Sequence, residues 1–162
     1  MTVDATRNRH DRLMLLSIRP RHVVHIMSGL KTVELRRSRP GILPGQPVAI
    51  YSTTPQAAVV ALCRVSHVES APPATLWGRV GGQSGVRRSD FNDYFTGSKI
   101  AVALHLTDVE ALEEPVSLAD LRLRGPFQPP QTWHFLDRER VRSLFGEHPA
   151  AAQLSTALEA AM

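Results

Sequence analysis

The chain has 162 residues, 43% apolar and 21% charged, with a net charge of +4 and a single cysteine, Cys63. That length suits one compact domain with a small appendage and a real core; one cysteine excludes an internal disulfide and fits a reducing, cytoplasmic setting. No apolar run reaches the roughly 20 residues a membrane helix needs, and the polar start has no h-region of a cleaved signal peptide.

Residues 1–12 are expected to form a flexible basic arm. Residues 1–40 carry nine Lys/Arg against three Asp/Glu, whereas residues 41–162 carry ten against twelve. A basic first quarter on a near-neutral body points to a localised anionic partner such as nucleic acid. Leu13–Ile18 is a short apolar run that reads as a buried strand, and Arg19-Pro20 opens the next element, because proline is tolerated in a first helical turn. Val23, Val24, Ile26 and Met27 give Arg21–Leu30 one apolar helical face, and Gly29 supplies the left-handed residue that ends it. From Lys31 to Arg37, Val33 and Leu35 alternate with Thr32, Glu34 and Arg36, the pattern of a half-buried strand.

Two further strands are expected over Pro47–Tyr51 and Ala57–Val65, joined by the polar turn Ser52-Thr53-Thr54-Pro55. Residues Glu69–Gly85 read as a mixed, flexible insertion containing Trp77 and a G-x-x-G-G-x-x-G run. Ser89–Phe95 reads as a short capped helix stopped at Gly97, followed by an apolar strand over Lys99–Leu106. A helical turn at Ser117–Leu121 and a proline-led loop lead into an aromatic strand ending at Leu136. Helix is expected from Asp137 to Ala161 with a break at His148-Pro149. The resulting order, a domain over 13–137 with a helical extension over 138–162, points to an α+β architecture: a small pseudo-β-barrel of five to six mixed strands with helices inserted around it.

Common enzyme signatures are missing. The sequence contains no G-x-G-x-x-G, no G-x-x-x-x-G-K-[ST] and no G-x-S-x-G. Cys63 lies in an apolar strand, where it reads as a small core residue. A zinc site would need histidines and carboxylates, and no H-x-x-x-H or H-E-x-x-H spacing occurs, so neither metal nor cofactor is expected.

The informative stretch is Gly29-Leu30-Lys31-Thr32-Val33-Glu34-Leu35-Arg36. It resembles the G-x-K-x-x-E-x-R pattern of ASCH domains, relatives of the PUA superfamily of RNA-binding barrels. Leu16–Pro20 before it, Ile50–Thr54 after it and Phe127–Leu136 near the end are similar to that group as well. The resemblance implies a PUA-like pseudo-barrel with a cleft beside the first helix, used on RNA, DNA or a nucleoside derived from them.

The residues themselves supply suitable materials. Arg19, Arg36, Arg37 and Arg39 can grip phosphates, and Tyr51 and Trp133 offer planes for an unstacked base. Glu34, Ser17, Ser52, Thr53 and Gln131 can add hydrogen bonds. In an enzyme, Lys31 with Glu34 or Tyr51 would serve as acid and base for RNA cleavage. The resemblance also suggests N4-acetylcytidine amidohydrolases, but Glu34 stands where their threonine nucleophile would be. Lys31 and Glu34 have opposite strand parity, so they can meet only if Lys31 lies on the turn before strand pairing begins. The bland alternative is a Lys31–Glu34 or Glu34–Arg36 ion pair that merely stabilises the fold.

Overall fold

The computed structural model describes residues 11–159. Most of the expected arm, residues 1–10, and the last residues of the extension, 160–162, lie outside the described residues; Arg12 already opens the first strand. The elements are β1 (Arg12–Ile18), α1 (Pro20–Ser28), β2 (Val33–Arg36), β3 (Gln46–Ser52), β4 (Ala58–Ala71), α2 (Pro73–Val80), α3 (Arg88–Tyr94), β5 (Ala101–Ser117), α4 (Leu118–Leu123), β6 (Trp133–Asp137), α5 (Arg138–Phe145) and α6 (Ala151–Glu159). The strands form one sheet in the order β2-β5-β4-β3-β1-β6, with β1 and β3 parallel and every other pair antiparallel. The class is α+β, as expected, but the sheet does not close into a barrel: β2 and β6 are its two edges.

Two strands run longer than their apolar patterns suggest. β4 continues through Glu69 to Ala71, and β5 extends through Pro115 to Ser117. Both outer halves are polar on one side, so hydrophobic periodicity fades although the backbone pairing continues. The Gly-rich segment expected to be a flexible insertion is α2 followed by a 3-10 turn over Gly81–Gln83. Gly81 is buried beneath Trp77, whose ring would clash with any Cβ there.

Alternation along the strands separates the interior into layers. Leu13, Leu15, Ala49 and Tyr51 join Phe127 and the apolar faces of α5 and α6, including Val141, Leu144, Phe145 and Leu154. Met14, Leu16, Val48 and Ile50 instead face Val23 and Ile26 of α1. A third cluster packs Val33 and Leu35 of β2 against Leu76, Phe91 and Phe95 from α2 and α3. A fully buried leucine such as Leu144 or Leu154 contributes about 1.5–3 kcal/mol relative to solvent exposure. No described helix is long and apolar enough to cross a membrane.

Candidate functional site

The site starts from the way α1 stops. Pro20 occupies the first turn, and Gly29 takes φ 84°, with its N–H bonded to the Ile26 carbonyl. The Lys31 N–H then returns to the His25 carbonyl at 3.1 Å, and Thr32 N–H bonds to the Gln83 carbonyl at 3.0 Å. Lys31 therefore sits on the turn before β2, which opens at Val33. The parity conflict is resolved there: Nζ of Lys31 lies 3.7 Å from Oε2 of Glu34. Arg36, two residues along the same strand face, brings Nη2 to 3.4 Å from Oε1 of Glu34 and donates to the Ser17 carbonyl at 2.9 Å.

These charges are deeply placed, with Lys31 only 3% and Glu34 7% exposed. Unpaired ions at that depth would cost several kcal/mol each, so the cluster holds together because each charge meets an opposite one. The Lys31 ammonium also donates to the Ser84 carbonyl. Burial lowers its pKa; Glu34 works against the shift and Arg36 adds to it. The Gly-rich turn is the wall behind this lysine. Gly85, at φ +67°, packs so closely that a Cβ would lie 3.0 Å from Cβ of Lys31.

In front of the cluster opens a cleft of about 410 Å³. Ser17, Arg19, Lys31, Glu34, Arg36, Arg37, Thr53 and Gln131, all singled out in the sequence, line it. Arg21, His22, Asp90, Tyr94 and Thr132 line it too and were not singled out. Five cations, Arg19, Arg21, Lys31, Arg36 and Arg37, thus face two carboxylates, Glu34 and Asp90. His22 has its pKa lowered by burial first and by Lys31 and Arg21, with Glu34 opposing. Its Nδ1 is buried without a hydrogen-bond partner among the described residues. Tyr94 lines the cleft beside the buried Phe91, and the Arg37 guanidinium stacks over the Tyr94 ring at 4.3 Å while its Nε donates to the Tyr94 carbonyl at 2.8 Å.

Four expected residues lie elsewhere. Tyr51 is 2% exposed and belongs to the layer under α5 and α6, so its ring is no open platform for a base. Burial raises its phenol pKa, and Arg122 opposes the shift. Trp133 packs half-buried on the α1 side of the sheet, where β6 pairs with β1. Ser52 is wholly buried next to the cleft-lining Thr53. Arg39 reaches β4, donating to Ser70 Oγ at 3.0 Å and the Val68 carbonyl at 3.3 Å.

A group of residues that could hold a metal ion lies elsewhere, although the sequence has no metal-binding spacing. His67, Glu69 and His105 form a cluster whose ligand atoms lie within 4.8 Å of one another, outside the cleft lining. Its members come from two strands, so no spacing within one segment could reveal it.

In this chain a mixed sheet carries a buried Lys-Glu-Arg cluster at the first helix-to-strand junction, and solved structures share its fold. The crystal structure of ASCH from Zymomonas mobilis matches with a TM-score of 0.77 at 29% identity, over 85% of this chain and 96% of that one. The N-terminal domain of Staphylothermus marinus McrB shares the fold alone, with a TM-score of 0.53 at 11% identity, covering 83% of this chain and 93% of that one. A curated protein of Zymomonas mobilis, named ASCH domain-containing ribonuclease, is 32% identical over 131 residues, 80% of this chain and 88% of the relative. No family model matches the sequence. The chain belongs to the ASCH domain family.

Proposed function

We propose that this chain binds single-stranded RNA in the cleft beside α1 and cleaves it. The observation that carries this reading is the buried Lys31–Glu34–Arg36 cluster, opening onto a cleft with an excess of cations. A relative named as a ribonuclease supports the same substrate. Arg19 and Arg21 at the rim would hold phosphates, and the outer plane of the Arg37 guanidinium, backed by the Tyr94 ring, would receive an unstacked base.

Phosphodiester cleavage needs a proton taken from the attacking oxygen and one returned to the leaving oxygen. His22, kept neutral by burial and nearby cations, can take the first. Lys31, whose lowered pKa makes it a readier donor, can return the second, with Glu34 holding it in place. Arg36 then faces the charge that grows on the phosphoryl oxygens. Tyr51 has no part in this assignment because it packs in the layer under α5 and α6. A fully buried Cys63, its thiol pushed up to about 12 by desolvation, suits a reducing cytoplasm and no nucleophilic role.

The test measures binding and cleavage of a labelled single-stranded RNA and of DNA with the same sequence, at two salt concentrations. Cleavage confined to RNA, with affinity falling steeply as salt rises, is the expected result. Salt-sensitive RNA binding without products would leave a binding module. Absence of binding to either strand would overturn the reading, and acetate release from N4-acetylcytidine would replace it with the amidohydrolase alternative.

A further inference from the structure

The second cluster lies on the β4–β5 hairpin and does not depend on the cleft. His67 and Glu69 are two residues apart on β4 and share a face, and His105 of β5 stands directly across from His67. That pairing is made by a bulge. Val65 pairs with Leu106 and His67 with His105, so Ser66 is the extra residue on β4. Without the bulge Ser66 would face His105 and His67 would turn to the opposite side of the sheet; bulges of this kind re-aim side chains.

The ligand atoms of the three side chains lie within 4.8 Å of one another, close enough to share one ion after side-chain rotation. Nε2 of His105 is 2.7 Å from Oε1 of Glu69, and the two imidazoles stack at 3.9 Å with a 14° interplanar angle. Nδ1 of His67 lies 3.1 Å from Ser66 Oγ, a bond that would fix the ring and leave Nε2 to ligate. The other carboxylate oxygen of Glu69 lies 3.8 Å from Nη1 of Arg79, whose side chain is 57% exposed and free to move outward.

We propose that His67, Glu69 and His105 bind one divalent transition-metal ion of the zinc class, with solvent completing its shell. Two imidazoles and one carboxylate are a set that Zn²⁺ accepts and that Mg²⁺ and Ca²⁺, which demand oxygen ligands, do not. Bonds of about 2.0 Å to a tetrahedral ion place ligand atoms about 3.3 Å apart. The 2.7 Å contact must open and the wider separations close, which rotamer changes at partly exposed side chains accomplish.

The experiment titrates the full chain, stripped of metal by chelator, with Zn²⁺ alone by calorimetry and with Co²⁺ alone by visible absorption. One equivalent of Zn²⁺ is expected, with Co²⁺ giving the intense bands of a tetrahedral site. His67→Ala and His105→Ala should each weaken Zn²⁺ binding at least about tenfold. His67 is exposed, so its replacement does not threaten folding, and circular dichroism checks the other variant. Glu69→Gln should also weaken binding while keeping the shape of the side chain. Undetectable Zn²⁺ binding by the wild-type chain, or binding that survives the double His67→Ala/His105→Ala change, would overturn the proposal and leave a plain His105–Glu69 hydrogen bond.

Discussion

The cleft beside α1 and the core under α5 and α6 both draw on β1 but use burial differently. In the core, Leu15, Tyr51, Phe127, Leu144 and Phe145 exclude water with almost no charge among them. At the cleft, a lysine and a glutamate are buried nearly as deeply, and an arginine completes the cluster. Replacing a buried ion pair with apolar groups of similar volume is often neutral or stabilising, so fold stability alone does not explain why this corner holds charges. The difference separates residues that hold the domain together from residues that equip it. It also yields experiments that can break the distinction.

The largest expected effect is on chemistry. Lys31→Ala removes the proposed proton donor and should lower RNA cleavage by about 10²–10⁴-fold, measured as initial rates on a labelled oligonucleotide. Glu34 keeps Arg36 as a partner in that variant, so its fold should survive. Cleavage at the wild-type rate would reduce the cluster to a structural ion pair.

Leu144→Ala tests the other region. The side chain is wholly buried in the α5–α6 core, and its truncation should cost about 2–5 kcal/mol in a denaturant titration. RNA affinity of the protein that remains folded should not change. A matching loss of affinity would show that the core and the cleft are one unit.

How far the sequence foretells each region follows from the kind of signal involved. The Gly29–Arg36 junction is legible because its cues are local: a helix-ending glycine, strand alternation, and a turn that frees Lys31 from strand parity. β3 gives no such cue. All seven of its residues are buried, so alternation cannot tell which face Tyr51 joins, and only the packing puts its ring in the layer under α5 and α6. Tyr94 and the Ser84–Gly85 wall reach the cleft only through tertiary packing across more than fifty residues. The segment around Ser84 and Gly85 offers mainly glycines to read, and glycine is as common in flexible loops as in tight approaches. Tyr94 lies in a short helix whose pattern says nothing of the cleft. The His67–His105 pairing depends on a bulge that no sequence pattern marks.

Gly85→Ala tests that wall. A residue with a Cβ at φ +67° costs about 1–2 kcal/mol, and here the new methyl would also press on the Lys31 side chain. Stability should fall by roughly that amount, read from thermal or denaturant unfolding, and cleavage should fall with it as Lys31 is displaced. A stability loss with unchanged cleavage would mean that the wall supports the fold and does not position the lysine.

The smallest effect is the pH dependence set by His22. Its folded pKa lies below the ordinary 6.5, chiefly through burial. Above 6.5 the ring is neutral in both states and its contribution is fully present. As pH falls from 6.5 through the lowered folded value, the unfolded chain binds the proton more readily, and stability is lost. One proton limits that slope to about 1.4 kcal/mol per pH unit, and solvent at a partly exposed ring keeps it smaller. His134, lowered by burial and Arg140, adds a slope of the same sign, so the wild-type curve alone does not isolate His22. The difference between wild type and His22→Gln does, when unfolding is followed from pH 7.5 down to about 5. A cleavage profile that loses its acidic limb in the same variant would tie the neutral imidazole to the proton transfer. Parallel stability and activity curves for both proteins would make His22 a half-buried histidine of α1 with no part in the reaction.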